Sequence, residues 1–142
     1  MTPEELEAEK HDSLRLSKHM AAGGDPRPHE LCDAHAIISG AHRDAAELRA
    51  VLAWFQRRID DPINGCWLPR NTAAISSMPD WLRKAVPHSR IHRKKYYGWL
   101  NDEVISMSLV RTEAQLVEAL RFVEHRLQSG TYPPRIMEPA RA

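Results

Sequence analysis

L-C-D-A-H-A-I-I-S, residues Leu31 to Ser39, is a short apolar run that becomes β-branched towards its end, the pattern of a buried strand. A single histidine, His35, sits inside it, with Ala36 beside it. Alone, a histidine in such a strand is more often a satisfied core residue than a ligand. Working outward, Ile63 to Leu68 reads as a second short strand that Pro69 stops. Asn64-Gly65 within I-N-G-C-W-L-P is, taken by itself, a hairpin-turn dipeptide. Further on, H-S-R-I-H places His88 and His92 four residues apart. On a helix both rings project from one side and reach a common ion. Helical spacing of His92, Tyr96, Trp99, Leu100 and Met107 predicts a helix from Ser89 to Met107. That spacing also favours core packing over base stacking for Tyr96 and Trp99.

The 142 residues suit one domain with a real core. A hydrophobic content of 42% and a charged content of 27% are those of an ordinary globular chain. Cys32 and Cys66 do not make a disulfide framework in a chain this long. Burial as small apolar residues is the preferred reading, although their neighbouring strands leave a bridge open. No long apolar segment spans a membrane, and the acidic T-P-E-E-L-E-A-E-K start lacks the apolar region of a signal peptide. The formal net charge is only +1, so any basic surface is local. Arg83, Lys84, Arg90, Arg93, Lys94 and Lys95 form such a cluster. It reads either as a solvated face or as a site for phosphodiester backbones.

Thr2, Pro3 and Glu5 open a helix expected to run to about His19, with sparse apolar positions that suit a lightly packed surface arm. Asp44 to Arg58 is amphipathic through Leu48, Val51, Leu52 and Phe55, with Ile59 continuing the spacing. His42 and Arg43 cap that helix or contact phosphate. Pro79 opens a short helix through Val86. Thr112 and Gln115 form a second capping box, leading a helix with Leu116, Leu120, Val123 and Leu127 on one face and Gly130 at its end. The chain divides into an N-terminal helical arm, 1–24, a central domain, 25–130, and a Pro-rich tail, 131–142, expected to wrap the surface or move. The fold class is α+β.

Three stretches in this order, D-A-H-A-I-I-S-G, I-D-D-P-I-N-G-C-W-L-P and P-H-S-R-I-H-R-K-K-Y-Y-G-W-L-N-D-E-V, resemble the AHH family of the HNH/endonuclease VII nuclease superfamily. These are bacterial toxin domains, often carried by polymorphic or type VI secretion effectors. The resemblance spans roughly Cys32 to Glu103. It implies a ββα-metal core, two short strands and a ligand-bearing helix, surrounded by additional helices. It implies a divalent ion (Zn, Mg, Mn or Ni) held by His35, His88 and His92, with Asn64 orienting the catalytic loop. The position of the second motif histidine, the general base that activates water, is Ala36 here. Two adjacent histidines with different roles require a bulge or distortion at that point of the strand.

The expectation is therefore a metal-dependent DNA endonuclease that lacks its base, by an inactivating His→Ala change or as a natural pseudo-enzyme, the former favoured. The resemblance further implies a secreted effector acting in the target-cell cytoplasm, with DNA and a cognate immunity protein as partners and no membrane association. Two other readings stay open: a catalytically silent, zinc-structured binding module, and an RNase on the same fold.

Overall fold

In the computed structural model, which describes residues 1–139, β1 (Cys32–Ala36) and β2 (Gly65–Pro69) pair as a two-stranded antiparallel sheet. The register sets Cys32 against Pro69, Ala34 against Trp67, His35 against Cys66 and Ala36 against Gly65. Side chains alternate between faces along a strand. Cys32, Ala34, Ala36, Gly65 and Trp67 therefore share one face, and Asp33, His35, Cys66 and Leu68 share the other. Both cysteines are buried and free, so the open disulfide does not form.

The strands are shorter than the apolar runs because Asn64 takes over where the ladder stops. Its backbone oxygen accepts from the Ile37 amide at 2.8 Å. Its side-chain oxygen accepts from the Ile38 amide at 2.9 Å, and its Nδ2 donates to the carbonyls of Ile38 and Ile59 at 3.0 and 2.9 Å. Asn64-Gly65 is thus no hairpin turn. It closes a 3-10 turn, Pro62–Asn64, and stitches the exit of β1 to the entry of β2.

The helix expected from Thr2 to His19 is two helices, α1 (Pro3–Ala8) and α2 (Ser13–Ala22). Asp12 restarts the helix by accepting from the amides of Leu14 and Arg15, and its own amide is turned away to Asp60. Nor is this stretch lightly packed, since Leu16 and Met20 lie in the core. Alpha2 covers the alanine face of the sheet: a Cβ on Gly65 would meet Met20 Sδ at 2.6 Å. Alpha3 (Ala46–Trp54) follows a 3-10 turn that His42 caps, its Nδ1 accepting from the Asp44 amide.

On the opposite face lies α4 (Lys94–Trp99), extended by a π-turn over Leu100–Val104. The helix does not begin at Ser89. His88–Arg90 is a separate 3-10 turn, tied to the sheet by the Ser89 amide donating to the Arg70 carbonyl. Met107 falls beyond the helical stretch and is exposed. The stretch after Pro79 makes only a 3-10 turn, Asp80–Leu82.

Alpha5 (Glu113–Ser129) has the expected reciprocal Thr112–Gln115 cap, the expected buried face and a left-handed Gly130. It protects the free edge of β2, where Arg121 and Gln128 donate to the carbonyls of Gly65 and Trp67. Within the tail, Pro134–Met137 is a 3-10 turn that buries Ile136. Residues 140–142 of the expected tail lie outside the described residues.

The Asn64 clamp gives the first test. Asn64→Ala leaves three buried backbone groups unpaired, and an unpaired group costs about 1–3 kcal/mol. Calorimetry is expected to show a melting temperature lowered by roughly 10 °C; an unchanged value would mean that the clamp contributes nothing.

Candidate metal centre

His35 enters the site from β1 with no solvent exposure. His88 stands on the 3-10 turn against the sheet, and His92 lies just before α4. Their ring centroids are 5.1 Å apart for His35–His88, 5.7 Å for His35–His92 and 4.5 Å for His88–His92. One nitrogen from each ring lies within 4.8 Å of the others. Two stretches far apart in sequence, one carrying His35 and the other His88 and His92, therefore converge on one point.

Hydrogen bonds on the outer side of each ring decide which nitrogen faces inward. The Tyr96 hydroxyl donates to the Ile37 carbonyl at 2.9 Å, so it accepts from His35 Nε2 at 2.9 Å. That leaves the lone pair of His35 on Nδ1, a buried atom with no hydrogen-bond partner. His88 Nδ1 donates to the Asp33 carboxylate at 3.0 Å, leaving the His88 lone pair on Nε2. His92 Nε2 meets His88 Nε2 at 2.7 Å, while the Tyr97 hydroxyl lies 3.4 Å from His92 Nδ1.

A buried imidazole nitrogen without a partner is costly unless something accepts its lone pair. A divalent ion of the zinc type, which prefers neutral imidazoles held from behind by carboxylate or hydroxyl groups, fits this donor set.

The electrostatics keep His35 and His92 neutral. Burial pushes the pKa of His35 well below the usual histidine range, and the charges of His88 and His92 push the same way. His92, which retains an exposed edge, is pushed down to about 4, first by burial and then by His88. At Asp33 burial opposes ionisation, yet hydrogen bonds from His88 and Arg70 outweigh it and hold the carboxyl below its ordinary range. Burial likewise keeps the Tyr96 phenol protonated, as its donor role requires.

The sequence-predicted residues fare differently. His35, His88 and His92 come together, although the last two do not share a helix. Ala36 lies one step along the strand and faces α2, 4% exposed. The ladder is regular through Ala36↔Gly65, so the bulge expected at this point is absent. Asn64 bonds to the segment just beyond β1 rather than to the rings.

The six cations do not form one free face. Arg83 pairs with Asp80 and Lys95 with Glu138, while Lys84 packs against Gly130 at the end of α5. Arg90 is exposed on the turn that carries His88. Arg93 and Lys94, joined by His42 and Arg43, line a cleft that reaches His92. Tyr96 and Trp99 are core residues, as their spacing indicated. Sequence reasoning missed Asp33 and the two tyrosine hydroxyls as supports of the ligands. Strand alternation carries the signal for Asp33, which stands two residues before His35.

A family model described as "AHH: A nuclease family of the HNH/ENDO VII superfamily with conserved AHH" matches residues 16–122. No curated protein matches the chain, and no solved structure matches it.

Two measurements follow from the site. By isothermal titration, His35→Ala is expected to abolish stoichiometric zinc binding, while Tyr96→Phe and Asp33→Asn each weaken it about 10–100-fold. Unaltered affinity in all three would place the ion elsewhere. The second measurement concerns acid. His35 and His92 stay neutral in the fold but take protons when the chain unfolds, so the unfolded state gains as pH falls. Stability of the metal-free protein is therefore full above roughly pH 6.5 and declines as pH drops from there towards 4. Urea midpoints at pH 7.5 and pH 5 test this, and equal midpoints would contradict it.

Proposed function

The chain belongs to the AHH nuclease family of the HNH/ENDO VII superfamily, and on that premise we propose that it is a metal-dependent DNA endonuclease domain whose position 36 carries no general base. The observation that carries this reading is the convergence of three imidazoles, one of them with a buried, unpartnered nitrogen. A divalent ion held there supplies Lewis acidity to a scissile phosphate and its leaving oxygen. The chain's own residues do the rest. Asp33 and Tyr96 fix the rings of His88 and His35. Asn64 holds the exit of β1, so the strand end cannot drift from the turn that carries His88. Arg43, Arg93 and Lys94 border the cleft at His92, where neighbouring phosphates of a backbone are attracted without regard to sequence. Ala36 has no group that accepts a proton, so the step that deprotonates the attacking water is impaired at that position.

Retention of all three histidines and of Asn64 beside the alanine supports an inactivating His→Ala change over slow decay of an unused site. The same reading makes the domain the toxic part of a secreted effector acting in a target cell. An acidic immunity protein covering the basic cleft is the matching partner.

The test compares the present protein, Ala36→His, and Ala36→His combined with His35→Ala. A histidine at a nearly buried position strains the packing, so melting curves accompany the assay. Ala36→His is expected to raise metal-dependent plasmid cleavage by about 10²–10⁴-fold, to lose it in EDTA and to prefer DNA over total RNA. Loss of cleavage in the double variant is expected to coincide with loss of bound metal. A folded Ala36→His protein that binds metal and DNA yet cuts neither DNA nor RNA would overturn the reading.

A further inference from the structure

His11 and Asp60 form a pair that the three-histidine site does not use and that the family match, residues 16–122, only half includes. His11 Nδ1 lies 2.5 Å from Asp60 Oδ1. Asp60 is 1% exposed, and its other oxygen accepts from the Asp12 amide at 2.9 Å and from Arg15 Nε at 2.8 Å. A carboxylate so placed among donors is an acceptor, so the proton between the pair sits on His11 Nδ1. The lone pair is then on Nε2, which makes no hydrogen bond among the described residues. Asp60 serves as the orienting partner, as in other histidine–carboxylate pairs that handle protons.

The pair is also in the right region. His11 lies against Gly40, four residues beyond Ala36: a Cβ on Gly40 would meet the His11 amide nitrogen at 2.6 Å and its Cβ at 2.7 Å. The helix that His11 precedes covers the face of β1 on which Ala36 lies. Ser13 and Ser17 of that helix line a cleft together with Asp33, Ala34 and His88. The His11 side chain keeps 26% of its surface open to solvent, enough for a water to reach it.

We propose that His11, oriented by Asp60, is a second proton acceptor at this centre, the one that remains when position 36 carries alanine. The inference rests on the nuclease reading above. In the step assigned to it, the oxygen of water forms a bond to phosphorus while one of its protons passes to His11 Nε2. The bond from phosphorus to the leaving oxygen breaks, and that oxygen keeps the electron pair and takes a proton from solvent. His11 then returns its proton to solvent.

The experiment places His11→Gln and Asp60→Asn in the present protein and His11→Gln in the Ala36→His protein. Glutamine still offers an N–H to Asp60 but accepts no proton. Metal-dependent nicking of plasmid, zinc affinity and melting temperature are measured in each. A separate readout, independent of cleavage, is ¹⁵N NMR of the imidazole rings with and without a phosphorothioate oligonucleotide.

In the present protein, His11→Gln is expected to lower the residual nicking by about tenfold or more, with zinc affinity and melting temperature unchanged. In the Ala36→His protein the same substitution is expected to change the rate by less than about threefold, because a histidine at 36 carries the step. NMR is expected to show His11 protonated on Nδ1, with Nε2 shifting when the oligonucleotide binds.

The proposal is overturned if the present protein shows no metal-dependent nicking, or if His11→Gln leaves it unchanged. It is overturned too by equal losses in both backgrounds, which mark a structural role, or by an Nε2-protonated His11. Failure of the nuclease reading looks different: Ala36→His itself is then inactive. Asp60→Asn, which disturbs a buried carboxylate, is interpreted only if it melts with the parent, and then a loss matching His11→Gln supports the pair.

Discussion

The hydroxyl of Tyr96 stands between the His35 ring and the Ile37 carbonyl, and the chemistry of the site depends on that placement. A buried neutral imidazole has one N–H and one lone pair, and whichever nitrogen is satisfied as a donor leaves the other as the ligand. Because Tyr96 must donate to the carbonyl, it can only accept from His35, which leaves the lone pair on the buried, unpartnered Nδ1. The same bond ties α4 to the exit of β1. The two strands and the short helix are thereby one chemical unit, not merely neighbours. Asp33 repeats the arrangement from the strand side: it lies on the same face as His35 and holds His88 from behind.

The sheet's two faces carry different burdens, and this explains the sequence at its edges. At the Ala36–Gly65 end of the face beneath α2 the side chains must be small, because Met20 and Leu16 come down onto Gly65, the register partner of Ala36. On the other face the strand offers its polar residues, Asp33 and His35, to the turn that carries His88 and to the segment before α4 that carries His92. Position 36 therefore points away from the three rings. Any proton acceptor acting from that side shares its space with α2 and the segment leading into it.

Much of the site was legible from the chain alone because its parts are local in sequence. The strand around His35, the four-residue spacing of His88 and His92, and the reciprocal Thr112–Gln115 cap are each short patterns with one dominant physical reading. What the sequence concealed were contacts between distant segments. The break between α1 and α2 follows from Asp12 capping one helix with its side chain while giving its amide to Asp60, 48 residues away. Asn64-Gly65 looked like a hairpin turn because the clamp that Asn64 makes on Ile38 and Ile59 leaves no trace in local pattern. The density of the cations suggests one face, yet Asp80 and Glu138, the latter more than forty residues from Lys95, divide them.

The account turns on whether three imidazoles hold one ion. X-ray absorption at the zinc edge, on protein carrying one equivalent of zinc, tests that most directly. The spectrum is expected to show three imidazole nitrogens at about 2.0–2.1 Å, reduced in number or lost in His35→Ala. A spectrum without imidazole scattering, or one that is identical in the parent and in His35→Ala, would contradict it.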